Sequence, residues 1–140
     1  MRLQVNDFMT TNVITAEETT TVGEIRNIMK RNRIHAVPIM ARMPNDEWGI
    51  QGIVTATDLC KRINDATPIN EVMNDCRVHV VRSNMGAQAA AKNMLKHKVH
   101  HLVVMDDGNI IGMISSQDFV KLVAKLSLKP KKVKQLEISN

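Results

Sequence analysis

Apolar residues recur with a helical period near the beginning of the chain. Residues 22–29 carry an apolar side chain every three to four positions with charged residues between, at Val22, Ile25, Ile28 and Met29. Such spacing puts one apolar stripe along an α-helix, and Thr19 to Thr21 offer N-cap hydroxyls just before it. The pattern predicts an amphipathic helix that begins at these threonines. Upstream of it, Val13–Thr15 is predicted to be a short extended segment.

The helix is followed by a predicted strand pair. Ile34–Met40 and Ile50–Val54 are β-branched runs on either side of a turn, which is typical of two neighbouring strands. The segment that begins at Thr55 has the residue types of a helix N-terminus, so a further helix is predicted through Leu59 and Ile63. The predicted order is strand, helix, strand, strand, helix.

This order occurs twice because the chain contains an internal repeat. Three pairs of segments match without gaps: 7–10 with 71–74, 33–40 with 98–105, and 52–59 with 112–119. Copy one has five additional residues between its second and third matches, which predicts a longer loop at 43–48. Copy two closes the same gap with the hairpin signal Asp106-Asp107-Gly108-Asn109. The first helix of copy two is predicted to be alanine-rich, with Ala87, Ala89, Ala90 and Ala91.

The repeat and the charge distribution divide the chain into three parts. We expect a first domain at 5–64, a second at 65–126 and a basic tail at 127–140. One copy of about 60 residues is marginal alone, so the two copies are expected to share a packed core. Residues 1–120 hold thirteen basic and thirteen acidic side chains, so the net charge of +5 arises beyond residue 120. The neutral body argues against a nucleic-acid-binding face there.

The basic tail leaves two interpretations open. Its lysines could contact nucleic acid, an anionic membrane or an acidic partner, or the tail could be a solvated, mobile terminus. The remaining composition favours a cytoplasmic protein. The chain has no stretch near the roughly 20 apolar residues of a membrane span, its N-terminus has no apolar signal region, and Cys60 and Cys76 have no metal or redox spacing.

A repeated motif connects the chain with a known family. Gly52–Asp58 and Gly112–Asp118 both read Gly, two hydrophobic residues, Thr or Ser, any two residues and Asp, and each follows a predicted strand that contains histidine. The paired segments resemble the CBS domain family over residues 5–122. The resemblance implies an α+β fold in which two β-α-β-β-α units pack about a pseudo-twofold axis, with their sheets face to face and two clefts between them.

The same resemblance implies a function. Members of this family bind AMP, ADP, ATP or S-adenosylmethionine in the clefts as regulatory ligands, commonly form homodimers, and regulate a partner enzyme, channel or transporter. We therefore expect a tandem-repeat ligand sensor without a catalytic cofactor. No nucleophile–base pair, Gly-rich phosphate loop or paired catalytic carboxylate is visible in the sequence, which favours a non-enzyme. The alternatives are a structural dimerisation module with vestigial clefts and a nucleic-acid-associated protein that acts through its tail.

The expected first cleft is built on copy two. Asp118 at a helix start can accept hydrogen bonds from both ribose hydroxyls, and Ser115 with the first N–H groups of that helix can donate to a phosphate. The resemblance implies that Thr10, Ile14 and Ile34 of copy one face Asp118. It also implies that His101 contacts the phosphate, at the position where copy one has Ala36.

The expected second cleft repeats this arrangement on copy one. Thr55, Thr57 and Asp58 correspond to the polar residues of the first cleft, and the resemblance implies that they face Val78, His79 and Val99. Because Ala36 replaces the basic residue, we expect the first cleft to bind AMP or ADP more tightly.

Simpler interpretations compete for the same polar residues. Asp58 and Asp118 could be helix caps, and Thr55 and Ser115 could be turn hydroxyls. A zinc site at His79, His97, His100 and His101 is disfavoured, since consecutive residues of a strand point to opposite faces. No metal is therefore expected.

Overall fold

The computed structural model describes residues 2–73 and 78–126. Its helices and strands, in chain order, are β1 (Ala16–Glu17), α1 (Val22–Asn32), β2 (Ala36–Arg42), β3 (Trp48–Thr55), β4 (Val80–Val81), α2 (Ala87–His97), β5 (His101–Asp106), β6 (Asn109–Ser115) and α3 (Ser116–Lys125). A short 3-10 turn lies near the beginning of each copy, Val5–Asp7 in the first and Ile69–Glu71 in the second. These described elements form two three-stranded sheets and three helices, which confirms the predicted α+β fold.

The predicted amphipathic helix is α1, and its ends are fixed locally. The Thr21 side chain accepts a hydrogen bond from the Glu24 N–H, and the Glu24 side chain accepts one from the Thr21 N–H, which is a capping box. Val22, Ile25 and Met29 are buried, so the apolar stripe faces the core. Arg33 ends the helix in the left-handed conformation. The alanine-rich helix predicted in copy two is α2.

The two sheets have the same topology. In each, a short strand pairs in parallel with the first strand of an antiparallel hairpin: β1 with β2 and β3, β4 with β5 and β6. The hairpin of copy two turns at Asp107 and Gly108, both with positive φ, which confirms the predicted tight turn. Both hairpins have a register shift at the equivalent place, after Ile39 and after Val104.

Each copy lends a segment to the other copy's core. Val5 is fully buried among the apolar residues of the second sheet and α2, and its N–H donates to the Met85 carbonyl at 2.8 Å. Ile69, which follows copy one and precedes β4, is fully buried in the first core, and its N–H donates to the Thr20 carbonyl at 2.8 Å. The two sheets are therefore connected at both ends of the first copy.

Two predicted elements of copy one are wrong. The strand predicted at Val13–Thr15 forms only at Ala16–Glu17, because the chain first reaches β2 there, opposite Ile39 and Met40. The helix predicted through Leu59 and Ile63 is a single capped turn followed by irregular chain.

Arg26 of α1 explains why that helix does not continue. Its guanidinium donates to the carbonyl oxygens of Leu59, Lys61 and Ile63, at 2.9–3.1 Å, and to the Asp65 carboxylate at 2.8 Å. The guanidinium thus satisfies backbone acceptors that would otherwise need helical partners. The corresponding segment of copy two forms the ten-residue helix α3.

Several sequence expectations fall outside the described residues. They concern the basic tail at 127–140 and Cys76, which lies in the undescribed segment 74–77. Within the ranges that are described, no helix is long and apolar enough to cross a membrane.

Candidate functional site

Two capped turns form the polar centres of the candidate site. In copy two, Asp118 Oδ2 accepts from the Ser115 N–H at 2.8 Å, and Ser115 Oγ accepts from the Asp118 N–H at 3.3 Å. In copy one, Asp58 Oδ2 accepts from the Thr55 N–H at 2.9 Å, and Thr55 Oγ1 accepts from the Asp58 N–H at 3.3 Å. Both aspartates therefore take part in reciprocal capping, in which Ser115 is the N-cap residue of α3 and Thr55 holds the equivalent position in the turn of copy one. Among the described residues, the hydrogen bonds of each carboxylate involve Oδ2 alone.

The structure brings together the polar residues expected in the first cleft. His101 is the direct cross-strand partner of Ser115, on the strand that ends at the cap of α3. Thr10 pairs with Met113, two residues before Ser115 on the same strand. Thr10 thus reaches the second copy's sheet although it precedes the first copy's strands. Asp118 is close enough for its charge to act on His101.

The two apolar residues expected in the first cleft lie in copy one. Ile14 is half-buried just before β1. Ile34 packs against the first core and, with His35, Ala56 and Leu59, lines a cavity of about 290 Å³ that also touches α1. The Ile34 N–H donates to the Met29 carbonyl at 3.0 Å, so Ile34 contacts α1 of its own copy as well as the first core.

The surroundings of His101 lower its affinity for protons. Partial burial, the neighbouring His100 and the first copy's His35 all hold the pKa of His101 below its ordinary value, while Asp118 opposes this shift. Burial is the largest cause. His35 belongs to the first copy, so a charge of one copy acts on a histidine of the other.

The second capped turn borders a cavity of about 300 Å³. Its polar lining consists of Thr57, Asp58 and Lys61, and its apolar lining consists of Val54, Leu59, Ile69, Val72 and Met73. This volume is at the lower end of small-molecule sites. The sequence pattern does not predict this apolar lining. One signal was available, since Val72 and Met73 match Phe8 and Met9 in the repeat and so occupy the segment that approaches the sheet.

The other residues expected in the second cleft do not line this cavity. Val99 packs against the second core, the His79 carbonyl accepts from the Val103 N–H at 3.0 Å, and Val78 is half-buried just before β4. The His79 ring stacks on that of His97, with centroids 4.3 Å apart. In the parts of the chain that are described, no group of three or more His, Cys, Asp or Glu residues could hold a metal ion.

A family model decides the relationship of the chain. The CBS domain model matches it twice, over residues 5–65 and 69–125, which together include both capped turns. The chain belongs to the CBS domain family. The segments that cross between the copies, Val5–Asp7 and Ile69–Glu71, are therefore parts of the CBS pair.

Individual relatives agree with this assignment. The CBS domain-containing protein YhcV of Bacillus subtilis is 28% identical over 119 residues, which cover 81% of each chain. Among solved structures, the hexameric CBS-CP12 protein from bloom-forming cyanobacteria is 25% identical with a TM-score of 0.73, over 84% of this chain and 69% of that one. In several larger curated relatives, enzymes among them, the match covers only 21–42% of the relative's length.

One solved CBS domain pair contains ligands. It is in complex with 5′-methylthioadenosine and S-adenosylmethionine, and it matches 89% of this chain and 98% of its own with a TM-score of 0.76 and 23% identity. At this identity the likeness concerns the fold.

Proposed function

We propose that this CBS pair is a regulatory sensor of adenosine-containing ligands and not an enzyme. The observation that carries the proposal is the cavity of about 300 Å³ beside Asp58, which combines one carboxylate, one hydroxyl and one ammonium group with an apolar wall. This combination suits a nucleoside, because the base needs an apolar slot while the ribose needs hydrogen-bond acceptors. A CBS pair of the same fold binds two adenosyl compounds.

The capped turns support a common mode of ribose recognition. In each aspartate, the cap uses Oδ2 and fixes the side-chain rotamer. We propose that Oδ1 of Asp58 and of Asp118 accepts hydrogen bonds from the ribose hydroxyls, so that the ligand meets an already oriented carboxylate. Preorganisation of this kind reduces the entropy that binding must overcome.

The two clefts are proposed to use the residues expected from the sequence. The first would comprise Thr10, Ile14, Ile34, His101, Ser115 and Asp118. The second would comprise Thr55, Thr57, Asp58, Val78, His79 and Val99, to which the cavity lining adds Lys61, Val72 and Met73. We propose that AMP or ADP binds more tightly in the first cleft, because copy one has Ala36 where copy two has His101.

Native mass spectrometry and calorimetry test the proposed function. Freshly purified protein should carry a bound adenosyl compound, and titration with AMP, ATP, S-adenosylmethionine or 5′-methylthioadenosine should show saturable binding by at least one of them. Ligand at a hundred times its Kd should stabilise the fold by about 2.7 kcal/mol and raise Tm. GMP serves as the base control. Absence of both binding and a Tm shift with all four adenosyl compounds would contradict the proposal.

A homodimer is the proposed form of the sensor. Helix α3 has no buried residue, and Val120, Val123 and Leu126 are 59%, 64% and 48% exposed. Leu95 on the neighbouring helix α2 is 78% exposed. Covering these apolar side chains would stabilise a dimer through the hydrophobic effect.

Sedimentation of two variants of α3 tests the dimer. Val123→Asp should shift the protein towards monomer, whereas Lys121→Asp, which puts the same side chain at a polar position of the same helix, should not. A wild type that remains monomeric at high concentration would remove the dimer from the proposal. A stable dimer that binds none of the adenosyl compounds would favour the alternative of a structural module with vestigial clefts.

A further inference from the structure

His101 lies at the start of the central strand of the second sheet, and the charge of His35 from the first copy acts on it. His101 begins β5 and pairs with Ser115, which caps α3. His100 precedes it, and its carbonyl accepts from the Ser116 N–H at 2.9 Å. His35 of the first copy holds a backbone position equivalent to that of His100, since its carbonyl accepts from the Ala56 N–H at 2.8 Å. His101 therefore lies beside the residue that caps α3, and the charges of His100, His35 and Asp118 all act on it.

The groups around His101 act on its charge in opposite directions. Partial burial of the ring disfavours the imidazolium form most, and the adjacent His100 and His35 of the first copy act in the same sense. The positive end of the α3 dipole, next to Ser115, acts in the same sense. Asp118 on α3 favours the charged form. The unfavourable effects are larger, so the pKa of His101 lies below its ordinary value of about 6.5 and the ring is mainly neutral at pH 7.

We propose that His101 takes up a proton when a nucleoside phosphate binds beside Ser115, so that the first cleft's preference for nucleotide over nucleoside increases as the pH falls. The inference rests on the proposed function and adds a form of regulation to it. A phosphate dianion next to the ring favours the imidazolium form, because an opposite charge at short range stabilises it. The proton then makes a charge-assisted hydrogen bond possible, which is stronger than a neutral one.

The sign of the pH dependence follows from proton linkage. Bound phosphate raises the pKa of His101 above its low value in the free protein, so the complex holds more protons than the free protein at the pH values between the two. Affinity for AMP must therefore rise as the pH decreases through that interval, by at most about tenfold per pH unit for one proton. Adenosine has no phosphate, so its affinity should not depend on His101 protonation. The second cleft has Ala36 at this position and lacks the linkage.

Calorimetry on the first cleft alone tests the inference. In an Asp58→Ala background, AMP and adenosine are titrated between pH 8.0 and 6.5 in two buffers with different ionisation enthalpies, which reports the protons taken up on binding. We expect proton uptake with AMP, none with adenosine, and an AMP affinity that increases about fivefold or more across this range. The second ionisation of the phosphate, with a pKa near 6, makes its own contribution. His101→Lys keeps a charged contact to the phosphate without a titrating imidazole, so it reports that contribution, which is then subtracted.

Three variants make the test specific. His101→Gln should abolish the additional proton uptake and bring the AMP affinity close to that of adenosine. His101→Lys should keep the preference for AMP but lose its increase at lower pH, because lysine stays charged throughout and only the ionisation of the phosphate remains. His97→Gln, at a histidine outside the first cleft, should behave like the background protein.

The possible failures are distinguishable. If neither AMP nor adenosine binds, the proposed function itself fails. If both bind and the proton uptake persists in His101→Gln, or is equal for AMP and adenosine, only the linkage to His101 is overturned.

Discussion

Thr10 and Met113 exchange both of their backbone hydrogen bonds, each N–H donating to the other's carbonyl at 2.9 Å. This bridge ties the beginning of the first copy to β6 in the second. Gly112 makes the close approach possible, since a Cβ there would stand 2.5 Å from Met9 Sδ and 3.0 Å from the Thr10 oxygen. The bridge keeps Thr10 near Ser115, so the proposed first cleft would combine residues that are distant in sequence.

Removing each aspartate in turn should show which binding phase belongs to which cleft. Asp118→Ala should abolish the tighter phase of AMP or ADP binding, whereas Asp58→Ala should leave that phase largely unchanged. A charge-assisted phosphate contact through His101 contributes about 1.5–3 kcal/mol, which corresponds to tenfold or more in affinity. Calorimetry measures both phases.

Loss of a cap needs its own control in that experiment. Each aspartate belongs to a capping box, so either variant should also lose about 1 kcal/mol of stability. Thr21→Ala removes the cap of α1 instead and should lower Tm without changing ligand affinity. If Asp58→Ala abolishes the tight phase and Asp118→Ala leaves it, the expected inequality of the clefts is wrong.

Truncation of Val5 or Ile69 should destabilise the copy whose core buries that side chain. Ile69→Ala should cost about 2–5 kcal/mol and Val5→Ala about 2 kcal/mol, because both side chains are fully buried. Hydrogen exchange of the two sheets measures where the loss occurs. Val5→Ala should speed exchange in β5 and β6 more than in β2 and β3, and Ile69→Ala should do the reverse. If each substitution speeds hydrogen exchange only in the copy to which the residue belongs by sequence, the crossing of these segments between the two cores is contradicted.

Arg26 should stabilise the irregular segment of copy one and, through it, the cavity beside Asp58. Arg26→Met leaves three carbonyl groups without their donor and should cost about 2–3 kcal/mol in chemical denaturation. Because Lys61 lines that cavity, ligand affinity there should fall. Asp65→Asn is the control, since this carboxylate is 75% exposed and its ion pair should contribute less than about 1 kcal/mol. Equal losses of stability for both variants would show that the effect of Arg26 arises from its ion pair with Asp65.

The link between Ser83 and Asp106 should give a pH-dependent part of the stability. The Ser83 hydroxyl and N–H donate to the Asp106 carboxylate, and these bonds hold the pKa of Asp106 below its ordinary value. A lowered folded-state pKa means that the contribution is present above the ordinary pKa of about 3.9 and is lost as the pH falls below it. Ser83→Ala should therefore lower Tm at pH 7 and have little effect in strong acid. A Tm difference that is independent of pH would contradict this explanation, and exposed Ser116→Ala is the matched control.

Local sequence determined the features whose partners are close in the chain. Spacing and residue type predict these features, because each depends on residues at most a few positions apart. They are the cap and apolar stripe of α1, the Asp107–Gly108 turn and the capped turns at Asp58 and Asp118. The internal repeat and its motif gave the family and the α+β fold, because two matched copies constrain the order of elements far more than one motif does.

Tertiary structure decided the features whose partners are distant. The segment after Asp58 has the residue types of a helix, yet Arg26, more than 30 positions earlier, engages its carbonyl groups and the helix does not continue. Val5 and Ile69 look like ordinary apolar residues in sequence, and only the packed molecule shows which copy buries them. The apolar wall beside Asp58 depends on the same crossing of Ile69–Glu71. Burial is a property of the assembled core, so no local pattern could assign these residues.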